Sequence, residues 1–84
     1  MAENPVRQAL TERLSQRLVR LGLLPAELTD DLDLIRSGVL DSLGFVDLIA
    51  DLERATGKQV DLDRALQHRN ATTVANVIAL FADA

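Results

Sequence analysis

The chain has no cysteine, which excludes a disulfide framework, a thiolate metal site and a protein thiol nucleophile. It has one histidine, His68, so it cannot assemble a two-histidine metal cluster or a Ser-His-Asp engine by itself. Tryptophan and tyrosine are missing, and Phe45 and Phe81 are the only aromatics. With 48% hydrophobic residues, the core must be built from Leu, Ile, Val and Ala, a composition that favours helices. Catalysis by this chain alone is therefore not expected. No apolar run approaches membrane-spanning length, and the opening MAENPVRQAL carries charges and a proline where a secretory peptide needs apolar residues. A soluble, cytoplasmic, monomeric protein is the expectation, and 84 residues leave room for one domain only.

The charge is unevenly spread. The net −4 and the pI near 4.7 argue against nucleic acid or an anionic membrane as partner. Residues 1–26 carry a net +2 and residues 54–84 a net +1, whereas 27–53 carry −7, with Arg36 the lone base among eight acids. Such a segment serves either as a solvated face that keeps a small protein soluble or as a docking surface for basic partners.

Periodicity sets out the elements. Asn4 and Pro5 make a helix start, and Val6, Leu10, Leu14, Leu18 and Leu21 recur at spacings of four and three, so a first helix is expected at about 5–21. Gly22 ends it, and Pro25 prevents its continuation. Residues 22–41 hold no sustained period and read as a long loop with short helical turns, its apolar residues anchored across the helices. Gly38 supplies a positive φ just before the next element. Asp41 or Ser42 can cap a second helix, about 42–56, with Val46, Ile49 and Leu52 as its stripe and Leu48 beside it. Gly44 near its start permits close approach of another group. A short third helix, about 62–67, is opened by Asp61 or Asp63, and a fourth, about 72–82, is capped by Thr72 or Thr73 and buries Val74, Val77, Ile78 and Phe81. The fold class expected is all-α, a bundle of three long helices and one short one.

The stretch Asp33-Leu34-Ile35-Arg36-Ser37-Gly38-Val39-Leu40-Asp41-Ser42-Leu43 resembles the modification site of the acyl carrier protein family. There, a Gly-containing turn leads into a D-S-L motif whose serine receives a 4′-phosphopantetheine arm from coenzyme A. The order of elements resembles the family over nearly the whole chain: long first helix, long acidic loop, second helix at the serine, short third helix and a fourth opening with Thr73-Val74. The resemblance implies a four-helix acyl-carrier-like bundle in which Ser42 accepts the arm and Asp41 is recognised by the phosphopantetheinyl transferase. Taken without the family, Ser42 and Asp41 are both N-cap candidates. A helix start presents free amides and a positive field that suit a phosphodiester, although the Asp41 carboxylate would repel that group at close range. No neighbouring base in the sequence can deprotonate Ser42, so the transferase must supply that chemistry.

The resemblance further implies a free-standing carrier. It holds acyl or aminoacyl groups as thioesters on the arm and presents them to acyl- or aminoacyl-adenylating ligases, acyltransferases or synthases with basic docking patches, in lipid, polyketide or nonribosomal-peptide-type biosynthesis. On a helix starting at Ser42, the residues Leu43, Asp47, Ala50 and Asp51 share a face rotated from the Val46 stripe, and the family's second helix is its main recognition element. Phe45 joins that face or tilts into the core; its spacing suits either. Glu53 reads as a solvated charge or a partner of Lys58 or Arg54. Gly44 after the motif resembles D-alanyl and other aminoacyl carriers, whereas general fatty-acid carriers more often have an acid there, and Arg54 also departs from their pattern. A specialised carrier loaded by a dedicated adenylate-forming ligase is favoured. An unmodified helical adaptor binding a basic partner is the alternative from another class.

Overall fold

A computed structural model describes residues 5–82. Helix α1 runs Pro5–Leu21, α2 Ser42–Thr56, α3 Leu62–Ala65 and α4 Val74–Ala82, with a short 3-10 turn at Pro25–Glu27. No β-strand occurs among the described residues, so the all-α bundle expected from composition is the fold found. Asn4, the expected cap of α1, lies outside the described residues.

The four-residue ridge of α1 makes the spine of the core. Val6, Leu10, Leu14 and Leu18 are all buried, because residues four apart stack on one side of a helix. Against them pack Phe45, Leu48, Ile49 and Leu52 of α2 and Val74, Val77 and Phe81 of α4. At the end of α1 the Leu23 N–H returns to the Leu18 carbonyl (2.8 Å) and the Gly22 N–H to Val19 (3.1 Å). This closure needs the left-handed φ of +72° that Gly22 adopts without a Cβ clash.

Two elements differ from expectation. Helix α3 is one turn, ending at Ala65, with Asp61 as its cap (Arg64 N–H to Oδ1, 3.1 Å); Gln67 and His68 follow in turns that bond back to Arg64 and Ala65. Helix α4 starts at Val74 and not at about 72, because Thr73, one of the two expected caps, caps it with its hydroxyl accepting the Asn76 N–H at 3.3 Å, while the long loop engages Thr72. The Leu34 N–H donates to the Thr72 carbonyl (2.9 Å), and Asp33 and Thr73 form an isolated antiparallel bridge.

That loop is irregular but fully anchored. Leu28, Leu34, Val39 and Leu40 are buried in the main core. From α1, Arg7 donates to the Leu28 carbonyl (3.2 Å) and pairs with Asp30. From α4, the first two amides, Val74 and Ala75, donate to the Leu32 and Asp30 carbonyls (3.0 and 3.1 Å). Helix α4 thus has its leading donors satisfied by the loop, which a helix end buried in protein requires.

Leu34 is the test of this packing. It is wholly buried at 0% exposure in a segment with no regular structure, and Leu34→Ala leaves a cavity between helices that cannot close independently. A loss of about 2–5 kcal/mol is expected, read as a lowered midpoint in urea unfolding. A loss below 0.5 kcal/mol would mean that the loop is not part of the cooperative core.

Candidate functional site

The start of α2 is assembled by the loop before it. Asp33 Oδ1 accepts three hydrogen bonds, from the Ile35 and Arg36 N–H groups (3.0 Å each) and from the Thr72 hydroxyl (2.7 Å). Its own carbonyl accepts from Ser37 (3.0 Å), and the turn closes when the Leu40 N–H reaches the Leu34 carbonyl (2.9 Å). Gly38 carries the φ of +84° that this turn requires. The chain leaves with Leu40 buried and Asp41 extended.

Asp41 is the cap of α2. Its Oδ1 accepts from the Gly44 N–H at 2.7 Å, and its carbonyl takes the first helical bond from Phe45 (2.9 Å). Both N-cap readings of the pair are thereby resolved in favour of Asp41. Ser42 becomes the first residue of the helix, exposed, with its hydroxyl bonded to nothing among the described residues. The Ser42 and Leu43 amides likewise donate to no described group, leaving two outward donors at the positive end of a 15-residue helix.

Around this hydroxyl the exposed side of α2 presents Leu43 (71% exposed), Val46 (44%) and Asp47, with Ala50 and Asp51 half-buried. Asp51 is engaged by Arg54 at 3.2 Å. One open reading is decided here and one expectation is corrected. Phe45 is buried, at 2% exposure, so it is a core residue and not part of a contact surface. Val46, expected in the core, is on that surface. The buried set is 45, 48, 49 and 52, the i, i+3, i+4, i+7 pattern of one face; steps of three, as in 46, 49 and 52, drift by about 60° each and leave the face. That wheel arithmetic was the available signal for Val46. Glu53 is neither free nor paired with Arg54 or Lys58. Its carboxylate accepts the Val60 N–H at 3.0 Å, while Lys58 donates to the Phe81 carbonyl at 2.9 Å.

The residues present fit a covalent arm joined through a phosphodiester. An uncommitted, exposed hydroxyl is available for the ester, and two free amides lie beside it. The family model of the phosphopantetheine attachment site matches residues 9–78, from the second turn of α1 into α4. The chain belongs to that family, the acyl carrier proteins. Comparison with curated proteins gave no match, and neither did comparison with solved structures. Membership makes the chain a non-catalytic carrier of a covalent 4′-phosphopantetheine group that works with a phosphopantetheinyl transferase and with biosynthetic enzymes. When attached, the group supplies the thiol that the chain lacks.

In the sequence Asp33 marks only the start of the motif stretch, and nothing local signals its part in holding the site. Its bond to Thr72 spans 39 positions, and no local pattern encodes that distance. Partial burial pushes the Asp33 carboxyl up, but the Arg36 amide, the Thr72 hydroxyl, the Ile35 amide and the Arg36 charge together hold it below the ordinary carboxylate value. A depressed folded-state value means stability that is complete above about pH 4, the unfolded carboxylate range, and lost as the pH falls through the folded value. Asp33→Ala is expected to cost about 1–3 kcal/mol at neutral pH and to flatten the acid limb of a stability-against-pH curve. A wild-type acid limb retained in full by the variant would remove Asp33 from this role.

Proposed function

We propose that Ser42 carries the arm and that the exposed side of α2 presents it to partner enzymes. The observation behind this reading is the division of labour at the helix start: Asp41 takes the cap, which leaves the Ser42 hydroxyl free and exposed. In the transfer, Ser42 Oγ forms a bond to the phosphorus that bears pantetheine in coenzyme A. The pyrophosphate bond breaks, adenosine bisphosphate leaves, and the hydroxyl proton passes to a base on the transferase, since none is placed here. Incubation with coenzyme A and a broad-specificity transferase is expected to add one arm by intact mass. The Ser42→Ala chain is expected to add none, and labelling of that variant would refute the assignment.

Position 44 supports a reading of the cargo class. Gly stands there where general fatty-acid carriers more often hold an acid, and a Cβ at that position would lie 3.0 Å from Asp41 Oδ1, so the cap would have to shift slightly to accept any side chain. Arg54 also takes up the charge of Asp51, which leaves α2 less acidic than its composition. These features support a specialised carrier, loaded with an acyl or aminoacyl group by a dedicated adenylate-forming ligase, over housekeeping fatty-acid synthesis. Efficient malonyl loading followed by chain elongation would count against it.

Leu43, Val46 and Asp47 form the contact surface of this proposal, with Asp41, Ala50 and Asp51 at its margin. Because Leu43 is 71% exposed and Val46 44%, Leu43→Ser is expected to shift stability by less than about 0.5 kcal/mol and Val46→Ser by about 1 kcal/mol. Each is expected to slow arm addition or loading about tenfold, measured as kcat/KM. Unchanged kinetics in both variants would place docking elsewhere.

A further inference from the structure

One flank of α1 combines two features that nothing inside the chain uses. Arg13, Arg17 and Arg20 are exposed, and their spacings of four and three stack them on one side of the helix. None makes a hydrogen bond or ion pair among the described residues, whereas Arg7, Arg36 and Arg54 pair with Asp30, Asp33 and Asp51. Glu12, the one acid of α1, lies three or four residues from none of them. Like charges at these spacings repel, and the helix carries that cost without a counter-charge. The helix dipole accounts for Arg20 in the last turn, but not for Arg13 in mid-helix. The same end of α1 is apolar: Val19 is 78% exposed, Leu21 50% and Leu24 67%, half of the six large hydrophobics left in solvent among the described residues. Arg20 lies between Val19 and Leu21 around the helix, about 100° from each, and a shallow groove lined by Ser15, Gln16, Val19 and Arg20 runs beside it.

Exposed apolar side chains rimmed by unpaired cations mark an interaction surface, and the charge selects its occupant. We propose that the C-terminal half of α1 docks an acidic protein partner, one that sets carboxylates around an apolar side chain. The carboxylates pair with Arg13, Arg17 and Arg20, and the apolar group covers Val19, Leu21 and Leu24. Guanidinium groups suit such pairs because each can take a carboxylate in two parallel hydrogen bonds. A nucleic acid or an anionic bilayer fits poorly, because the positive patch is short and bounded. Asp41 Oδ1 and Arg17 Nη2 both abut the position that a Gly44 Cβ would take, at 3.0 and 3.4 Å. The acidic head of α2 therefore begins where the stripe ends, and an extended polyanion would run onto it. A compact acid cluster would not. The surfaces of α1 and α2 thus select opposite charges on what they bind, and the α1 surface acts whether or not the arm is attached.

The test uses the unmodified chain, so its outcome is separate from that of the Ser42 assignment. The probe is a synthetic helical peptide with glutamates on both sides of a leucine stripe, titrated into the 15N-labelled chain at near-physiological salt. The Nε resonances of Arg13, Arg17 and Arg20 and the amides of Val19 and Leu24 are expected to shift saturably. Arg64 and Arg69, exposed arginines elsewhere on the chain, are expected to shift little. Arg13→Glu and Arg20→Glu should each weaken binding about fivefold and Val19→Ser about threefold, and a peptide with serine in place of leucine should bind more weakly than its parent. No shift, shifts of the same size at Arg64 and Arg69, or equal binding of the serine peptide would overturn the proposal, since each would reduce the stripe to a solvated charge. Tighter binding of phosphatidylserine vesicles or of a DNA duplex at the same residues would also overturn it, by making the occupant a polyanion. Shifts that grow with the concentration of the chain alone would do so by making the occupant a second copy.

Discussion

One carboxylate oxygen, Asp33 Oδ1, joins the two halves of this bundle. It gathers two loop amides and the hydroxyl of Thr72, and the neighbouring backbone adds the Leu34 to Thr72 and Val74 to Leu32 bonds. The long loop would otherwise carry a row of unpaired polar groups across an aliphatic core, at a cost that this small domain could not absorb. With these bonds made, the loop can bury Leu34, Val39 and Leu40, and the last of these delivers Asp41 to the head of α2. Helix α4 draws on the same contacts, since its first amides are satisfied by loop carbonyls and not by a local cap alone.

At the head of α2 two adjacent residues that could each have capped the helix divide the roles. A carboxylate is a strong acceptor for an N-terminal amide, and it also complements the positive end of the helix. Asp41 therefore takes the structural bond, and the hydroxyl next to it stays free. The capping carboxylate is then a liability for an anionic arm.

The acidity of residues 27–53 separates into distinct uses. Asp33 is a hydrogen-bond hub, Asp41 a cap, Asp30 the partner of Arg7, Glu53 a receiver for the Val60 amide and Asp51 the partner of Arg54. Asp47 is left on the exposed side of α2 beside Leu43 and Val46. A surface of this kind, apolar at its centre and sparsely acidic, suits recognition by shape and burial as much as by charge.

The helices and the modification motif were legible because their signals are local. The spacing of Leu10, Leu14 and Leu18, the glycines at the helix ends and the Asp-Ser-Leu run all act within one or two turns of chain. What only the tertiary structure decided depends on groups far apart in sequence: the bonds that tie Asp33 and Leu34 to Thr72, the anchoring of Leu28 and Asp30 by Arg7, and the meeting of Arg17 with Gly44. Phe45 and Val46 stand between these cases. Their periodicity was present in the sequence, but two overlapping stripes competed on one short helix, and the position of α1 chose the one that buries the larger ring.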